Sequence, residues 1–179
     1  MKALSVLFVL AFLSSCNHES ADNDNTVIIG DSNRNYTIIK PNPPLLVTES
    51  HPDSLDLNLD GIFEIRFSIA PIPTITGIGA KTEITTTNKL QILLSEMDLT
   101  DTLSIKTALT RDLMWSGIDQ FTILLQSYAC YSYFHCVGWG NFLNISGKYI
   151  GYKLGNKFGW ILVDSSTSEL KIREYTVLK

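Results

Sequence analysis

Residues 56–64 read Asp56-Leu57-Asn58-Leu59-Asp60-Gly61-Ile62-Phe63-Glu64, with oxygen-bearing side chains at the first, third, fifth and ninth positions and a glycine at the sixth. Calcium takes roughly six to eight hard oxygen ligands, and side chains at alternate positions of a tight loop can converge on one point when glycine allows the sharp turn. The expected ligands are the side chains of Asp56, Asn58 and Asp60, the carbonyl of Ile62, and Glu64 directly or through water, with Ca2+ as a structural cofactor. Asp53, just upstream, is a further carboxylate that could join them.

The pattern departs from a helical calcium loop at the twelfth position, where Phe67 stands in place of a bidentate Glu. The residues that follow read as a strand, so an EF-hand helix pair is not expected. An Asp/Asn/Gly turn without metal fits the same spacing and stays open as the alternative. Outside a cell an affinity on the order of 10⁻⁴ to 10⁻³ M suffices for such a module.

A second group of reactive side chains lies near the middle of the chain. Cys130 and Cys136 form an even pair once Cys16 is set aside, and in an oxidising compartment they read as a disulfide, with two buried thiols as the alternative. So short a loop gives a chain-entropy gain of about 2 kcal/mol. His135 adds one nitrogen, which with two sulfurs gives three ligands at most, short of a structural zinc site. Tyr128, Tyr131, Tyr133, Phe134 and Trp139 crowd the same stretch; Tyr131, Tyr133 and Trp139 are candidate ligand-binding aromatics, able to stack on sugar or anchor a partner if they face outward. Trp115 and Trp160 read as packing residues. The sequence holds no nucleophile elbow and no H-E-x-x-H, and no catalytic residue is assigned.

The elements that must position these residues are short strands. Phe63, Ile65, Phe67 and Ile69 alternate with Glu64, Arg66 and Ser68, which predicts a half-buried strand with its acid on the polar face. A strand is expected over Ser54 to Leu57, a hairpin over Lys81 to Thr87 and Leu90 to Ser95, and further strands over Phe121 to Leu125, Tyr128 to Val137, Tyr149 to Leu154, Phe158 to Val163 and Leu170 to Val177. Pro41, Pro43 and Pro44 mark an extended early connection, and Pro71 and Pro73 close the strand after Ile69. The fold class expected is all-β, an antiparallel β-sandwich (jelly-roll-like) with at most one short helix, around Leu90 to Leu99 or Thr107 to Trp115.

The chain has 179 residues and a net charge of −4, one unit more negative without Lys2. Nucleic-acid binding is excluded on this basis, because phosphate recognition needs a basic cluster that the sequence does not contain. The same balance argues against a polybasic attraction to anionic lipid.

The start of the chain fixes an address. Lys2 precedes an apolar run from Ala3 to Phe12, too short to cross a hydrocarbon core that needs roughly 20 apolar residues of helix, and laid out as a secretory signal. Leu13-Ser14-Ser15-Cys16 resembles the lipobox of bacterial lipoproteins. The resemblance implies a signal peptide over residues 1–15, cleavage before Cys16, diacylglycerol on its thiol and acylation of the new amino terminus. Each buried CH₂ contributes about 0.8 kcal/mol, so several chains together anchor firmly. Residues 16–26 form the expected tether, polar from Asn17 to Asn25 apart from Ala21, and its acids serve either as plain solvated linker or as a sorting signal. Residues 27–179 form one domain.

The lipobox, the acidic loop entering an alternating strand, and the closing Tyr149-Ile150-Gly151-Tyr152-Lys153-Leu154 and Phe158-Gly159-Trp160-Ile161 together resemble uncharacterised bacterial lipoproteins with a D-x-D-x-D-G loop in a β-domain. The resemblance implies architecture and location, with the outer membrane favoured and the body facing periplasm or cell surface; it implies no activity. The expected function is a calcium-stabilised binding or structural module with a glycan or protein ligand. A small surface glycan hydrolase is the rival, since its two carboxylates can come from distant strands. Replacing Cys16 by Ser is expected to move the protein from the membrane to the soluble fraction on cell fractionation; retention at the membrane would refute the lipid.

Overall fold

The computed structural model describes residues 26–31, 35–74, 76, 79–87, 89–95, 99–117, 122–132 and 135–179. The leader, Cys16 and all but the end of the tether lie outside the described residues, as do Tyr133 and Phe134. Thirteen strands make up the described chain, which contains no helix. They are β1 (Val27–Ile28), β2 (Tyr36–Ile39), β3 (Leu45–Val47), β4 (Asp53–Leu55), β5 (Ile65–Pro71), β6 (Gly79–Thr86), β7 (Leu90–Ile92), β8 (Ala108–Leu109), β9 (Thr122–Ser132), β10 (His135–Trp139), β11 (Ile145–Leu154), β12 (Lys157–Ser165) and β13 (Leu170–Leu178).

All pairings of these strands are antiparallel. One sheet runs β10-β9-β6-β5-β4, a second runs β2-β13-β12-β11-β7 with β3 also on β13, and β1 pairs with β8. The two larger sheets share one apolar core: Leu55, Ile65, Phe67, Ile69 and Ile84 from the first join Ile92, Ile150, Tyr152, Ile161 and Ile172 from the second. Two polar ties bind the sheets further. The Leu178 N–H donates to the Leu57 carbonyl at 2.7 Å, and Gln126 Nε2 donates to Thr82 Oγ1 and to the Ser166 carbonyl.

The six-stranded sheet is covered on its other face as well. A Cβ on Gly151 would meet Leu103 and Leu109 at 3.0 Å and Leu93 at 3.4 Å, and the Trp115 ring stacks on Phe158 with centroids 5.4 Å apart. This double cover explains why β12 is buried over the four consecutive residues Phe158 to Ile161, where a sheet open to water on one side would alternate. Trp160 is fully buried with Tyr36 and Tyr149 edge-on to it, and Trp115 is partly buried against the core, so both tryptophans are packing residues.

The expected hairpin of Lys81 to Thr87 with Leu90 to Ser95 is corrected. Strand β6 pairs with β5 and β9, whereas β7 pairs with β11 in the other sheet. Lys89 takes φ 63° at this point and the chain passes from one sheet to the other. Turn chemistry at Asn88-Lys89 marks a change of direction, and it does not say which sheet receives the next strand. The stretch Tyr128 to Val137, read as one strand, is two: β9 turns back into β10, with Cys136 directly opposite Cys130.

Tyr152 sets the packing of three consecutive strands. Its ring lies over Gly159, its partner across β11 and β12, and its hydroxyl donates to the Thr176 carbonyl at 2.6 Å. A Cβ on Gly159 would stand 2.2 Å from Tyr152 Cζ and 2.4 Å from Thr176 Oγ1, both fully buried. Gly159→Ala is therefore expected to lower stability by about 3 kcal/mol, the upper range for overpacking, read as a fall in the urea midpoint with unchanged slope. An unaltered midpoint would show that the Tyr152 ring has room to move.

Candidate metal site

The acidic loop closes the connection between β4 and β5. The Glu64 N–H donates to the Leu55 carbonyl at 3.1 Å, continuing the ladder that pairs Leu55 with Ile65. Between these two points the chain winds through a tight turn with Leu59 at φ 60° and Gly61 at φ 87°. Gly61 meets that geometry without steric cost because it has no Cβ.

Side-chain oxygens hold the turn by accepting backbone N–H groups. Asp56 Oδ1 accepts from Leu59 at 2.6 Å and from Asn58 at 3.3 Å, and its Oδ2 accepts from Gly61 at 2.8 Å. Asn58 Oδ1 accepts from the Asp60 N–H and Asp60 Oδ1 from the Ile62 N–H, while Asn58 Nδ2 donates to Asp60 Oδ2. Glu64 is fully buried, and its Oε2 accepts the Leu57 N–H at 2.7 Å. Taking one ligand oxygen from each, Asp56, Asp60 and Glu64 lie within 4.8 Å of one another, and this cluster could hold a metal ion.

Of the residues expected to act as ligands, the fold thus brings three carboxylates together and places Asn58 on Asp60. Ile62 donates its N–H to Asp60 and exposes its side chain. Asp53 stands apart from the trio, in β4 opposite Phe67, with its Oδ1 accepting the Ser54 N–H. The alternation that placed Glu64 on a polar face is corrected: β5 begins at Ile65, Phe63 is 59 % exposed, and Glu64 turns inward. The sequence carries no sign of this inversion, because the donor that receives Glu64 belongs to Leu57, across the turn. A second contribution that spacing does not show is Thr87, whose N–H donates to the Glu64 carbonyl and whose hydroxyl donates to that of Phe63.

Charge in the loop is set by these donors. For Asp56 desolvation works upward, but the N–H groups of Gly61, Asn58, Leu59 and Asp60 outweigh it and hold the carboxyl below its ordinary 3.8. Burial pushes the Tyr152 hydroxyl up; the Thr176 hydrogen bond opposes this, and the charge of Glu64 adds to it, which places that carboxylate within electrostatic reach of the core tyrosine. Asp164 is also held low: desolvation is outweighed by hydrogen bonds from Ser146 and Gly147 and by Arg173.

The second group of candidates lies at the edge hairpin. Cys130 and Cys136 form a disulfide across β9 and β10. Tyr131 and Trp139 are each about half exposed and project from the face of the sheet that carries Ser127 and Ala129. Trp139 stands opposite Ser127, four residues from Tyr131, so the two residues are set about 13 Å apart along the strand. Toward the sandwich interior, a cavity of about 290 Å³ is lined by Glu49, Ile69, Gly79, Ala80, Tyr128, Thr167 and Ser168. No family model matches the chain, and neither a curated protein nor a solved structure does.

The depressed carboxyls give a signed pH dependence. A group whose folded pKa lies below its unfolded value contributes stability above the unfolded value and loses it as pH falls through the folded one. Melting temperature is expected to hold down to about pH 4 and then fall, and Asp56→Ala is expected to melt lower at neutral pH with a shallower acid fall. An equally steep fall in that variant would remove Asp56 from the account.

Proposed function

We propose that the chain is a calcium-stabilised binding or structural module, held at the cell envelope outside the cytoplasm by a lipid on Cys16. The observation that carries the metal reading is the convergence of three carboxylates from a nine-residue loop onto one point. All donors there are oxygens, which suit calcium, whereas zinc favours nitrogen and sulfur. A carboxylate offers about four lone-pair positions, so the backbone N–H groups on Asp56, Asp60 and Glu64 leave acceptor capacity for an ion. Asn58 Oδ1 and the Ile62 carbonyl supply further oxygens, and the exposed rim at Asp60 admits water. Three negative charges drawn together repel, and a divalent cation relieves this.

The disulfide agrees with an oxidising compartment, where such bonds persist. Tyr131 and Trp139 are proposed as the ligand-binding pair, because two half-exposed rings on one sheet face suit stacking on sugar or anchoring a protein. The cavity behind them is lined by one carboxylate, Glu49.

Calcium titration is expected to release or absorb heat and to raise the melting temperature, by mass action on the folded state. Glu64→Gln keeps an acceptor for the Leu57 N–H and removes the charge; its calcium-free melting temperature is expected to stay within a few degrees while the calcium response falls by about tenfold in affinity or more. Wild-type protein without a calcium heat or a calcium-dependent melting shift would end the metal reading.

A further inference from the structure

Neither the metal reading nor the outward rings use the cavity that Glu49 lines. Ile69 of β5, Gly79 and Ala80 of β6 and Tyr128 of β9 bound it from the first sheet, and Thr167 and Ser168 bound it from the β12–β13 turn of the second. Glu49 itself sits in the turn that carries the chain from β3, on β13, to β4, on β5. At about 290 Å³ the cavity comes close to the volumes of small-molecule sites, roughly 300–1,000 Å³.

Hydrogen bonds fix these walls in advance. Gln126 is buried and lies two residues from Tyr128 on β9, hence on the same side of the strand. Its amide nitrogen donates to Thr82 Oγ1 at 3.1 Å and to the Ser166 carbonyl, which clamps β6 to the β12–β13 turn beside Ala80 and Thr167. The turn is closed by the Ser166 N–H on the Glu169 carbonyl at 2.9 Å, and Ser166 Oγ accepts the Glu169 N–H at 3.2 Å. At Glu49, Thr48 and His51 exchange N–H to carbonyl bonds of 3.1 and 3.2 Å and hold the two residues between them in a tight turn. A site set in this way loses little freedom when a ligand enters.

The polar groups here call for a donor with positive charge. Among the described residues Glu49 is the one charged side chain that lines the cavity, and an ionised carboxylate only accepts hydrogen bonds. The Tyr128 hydroxyl lies 3.1 Å from Cys130 Sγ; a disulfide sulfur has no proton, so the tyrosine donates there and keeps its lone pairs for a ligand. One layer deeper, the Gln126 amide directs its N–H donors to Thr82 and Ser166, and its buried Oε1 has no hydrogen-bond partner. The hydroxyls of Thr167 and Ser168 adapt to either role. We infer that the cavity binds a small primary amine in its protonated form, the ammonium toward Glu49 and the carbon chain against Ile69 and Ala80. A neutral alcohol would gain nothing from the charge of Glu49, and an anion would be repelled by it. The inference is independent of calcium, of the Cys16 lipid and of Tyr131 and Trp139.

The test is titration of the full chain, isotope-labelled, with butylammonium, butanol and butanoate, followed by the amide signals in NMR. Butylammonium is expected to shift Gly79, Ala80, Tyr128 and Ser168 saturably and to bind about tenfold more tightly than butanol, while butanoate leaves these signals in place. Glu49→Gln changes an exposed turn residue and is expected to bring butylammonium down to the level of butanol with the remaining spectrum unaltered. Ala80→Leu, which fills the cavity, is expected to abolish both. The absence of a saturable shift, equal affinity for butylammonium and butanol, or unchanged butylammonium binding in Glu49→Gln would each overturn the inference. Shifts confined to the edge hairpin around Trp139 or to the acidic loop would overturn it in favour of those sites.

Discussion

A carboxylate taken fully out of water must be met by donors or by a cation, and at Glu64 that requirement organises one end of the molecule. Its side chain reaches back across the turn to the Leu57 N–H, and its main chain bonds to Leu55 on one side and Thr87 on the other. The Leu57 carbonyl in turn accepts from Leu178 at the end of β13. Three segments, at Leu55, Thr87 and Leu178 and from both sheets, are thereby tied to a single loop. The loop geometry is thus dictated from behind as much as by its own Asp/Asn/Gly sequence, which is what keeps Asp56 and Asp60 close to a third negative charge.

Much of the fold was legible in the residues because period-two alternation survives wherever one face of a strand meets water. Ile65, Phe67 and Ile69 point inward with Arg66 and Ser68 between them, as their spacing predicts. The pattern misleads where the surroundings are unusual. At Glu64 the strand has not yet begun, and around Phe158 to Ile161 both faces are covered, so hydrophobicity becomes continuous. Partner choice was not legible: β6 and β7 look like a hairpin, and only the long-range pairing of β7 with β11 decides otherwise. The carboxylate cluster could be read from spacing, because a loop this short leaves its alternate side chains few directions. The burial of one member could not, since the donor that meets Glu64 is the Leu57 N–H across the turn.

The disulfide and the Tyr152 contact illustrate two ways of fixing β-structure. Cys130 and Cys136 lock an edge hairpin whose outer strand β10 is largely exposed and has a neighbour on one side only. Covalent closure suits a place where little apolar surface is buried. At the centre, a tyrosine laid over a glycine does the equivalent through close packing, with its hydroxyl satisfied on Thr176. Rings that pack inward (Trp160, Tyr152) and rings that project outward (Tyr131, Trp139) are thus separated by sheet position, although the sequence presents all of them in similar apolar runs.

Strand β13 lies between β12 and β2 and also holds β3. The strands formed by residues 36–47 therefore have no pairing partner in their own sheet until the far end of the chain is available. A polypeptide emerging from a ribosome or a translocation channel would carry those early segments as open edges until β13, more than a hundred residues later, had followed. Assembly of this sheet is consequently a late event with a high entropic barrier to loop closure, and such a chain depends on being kept from other edges until its last strand arrives.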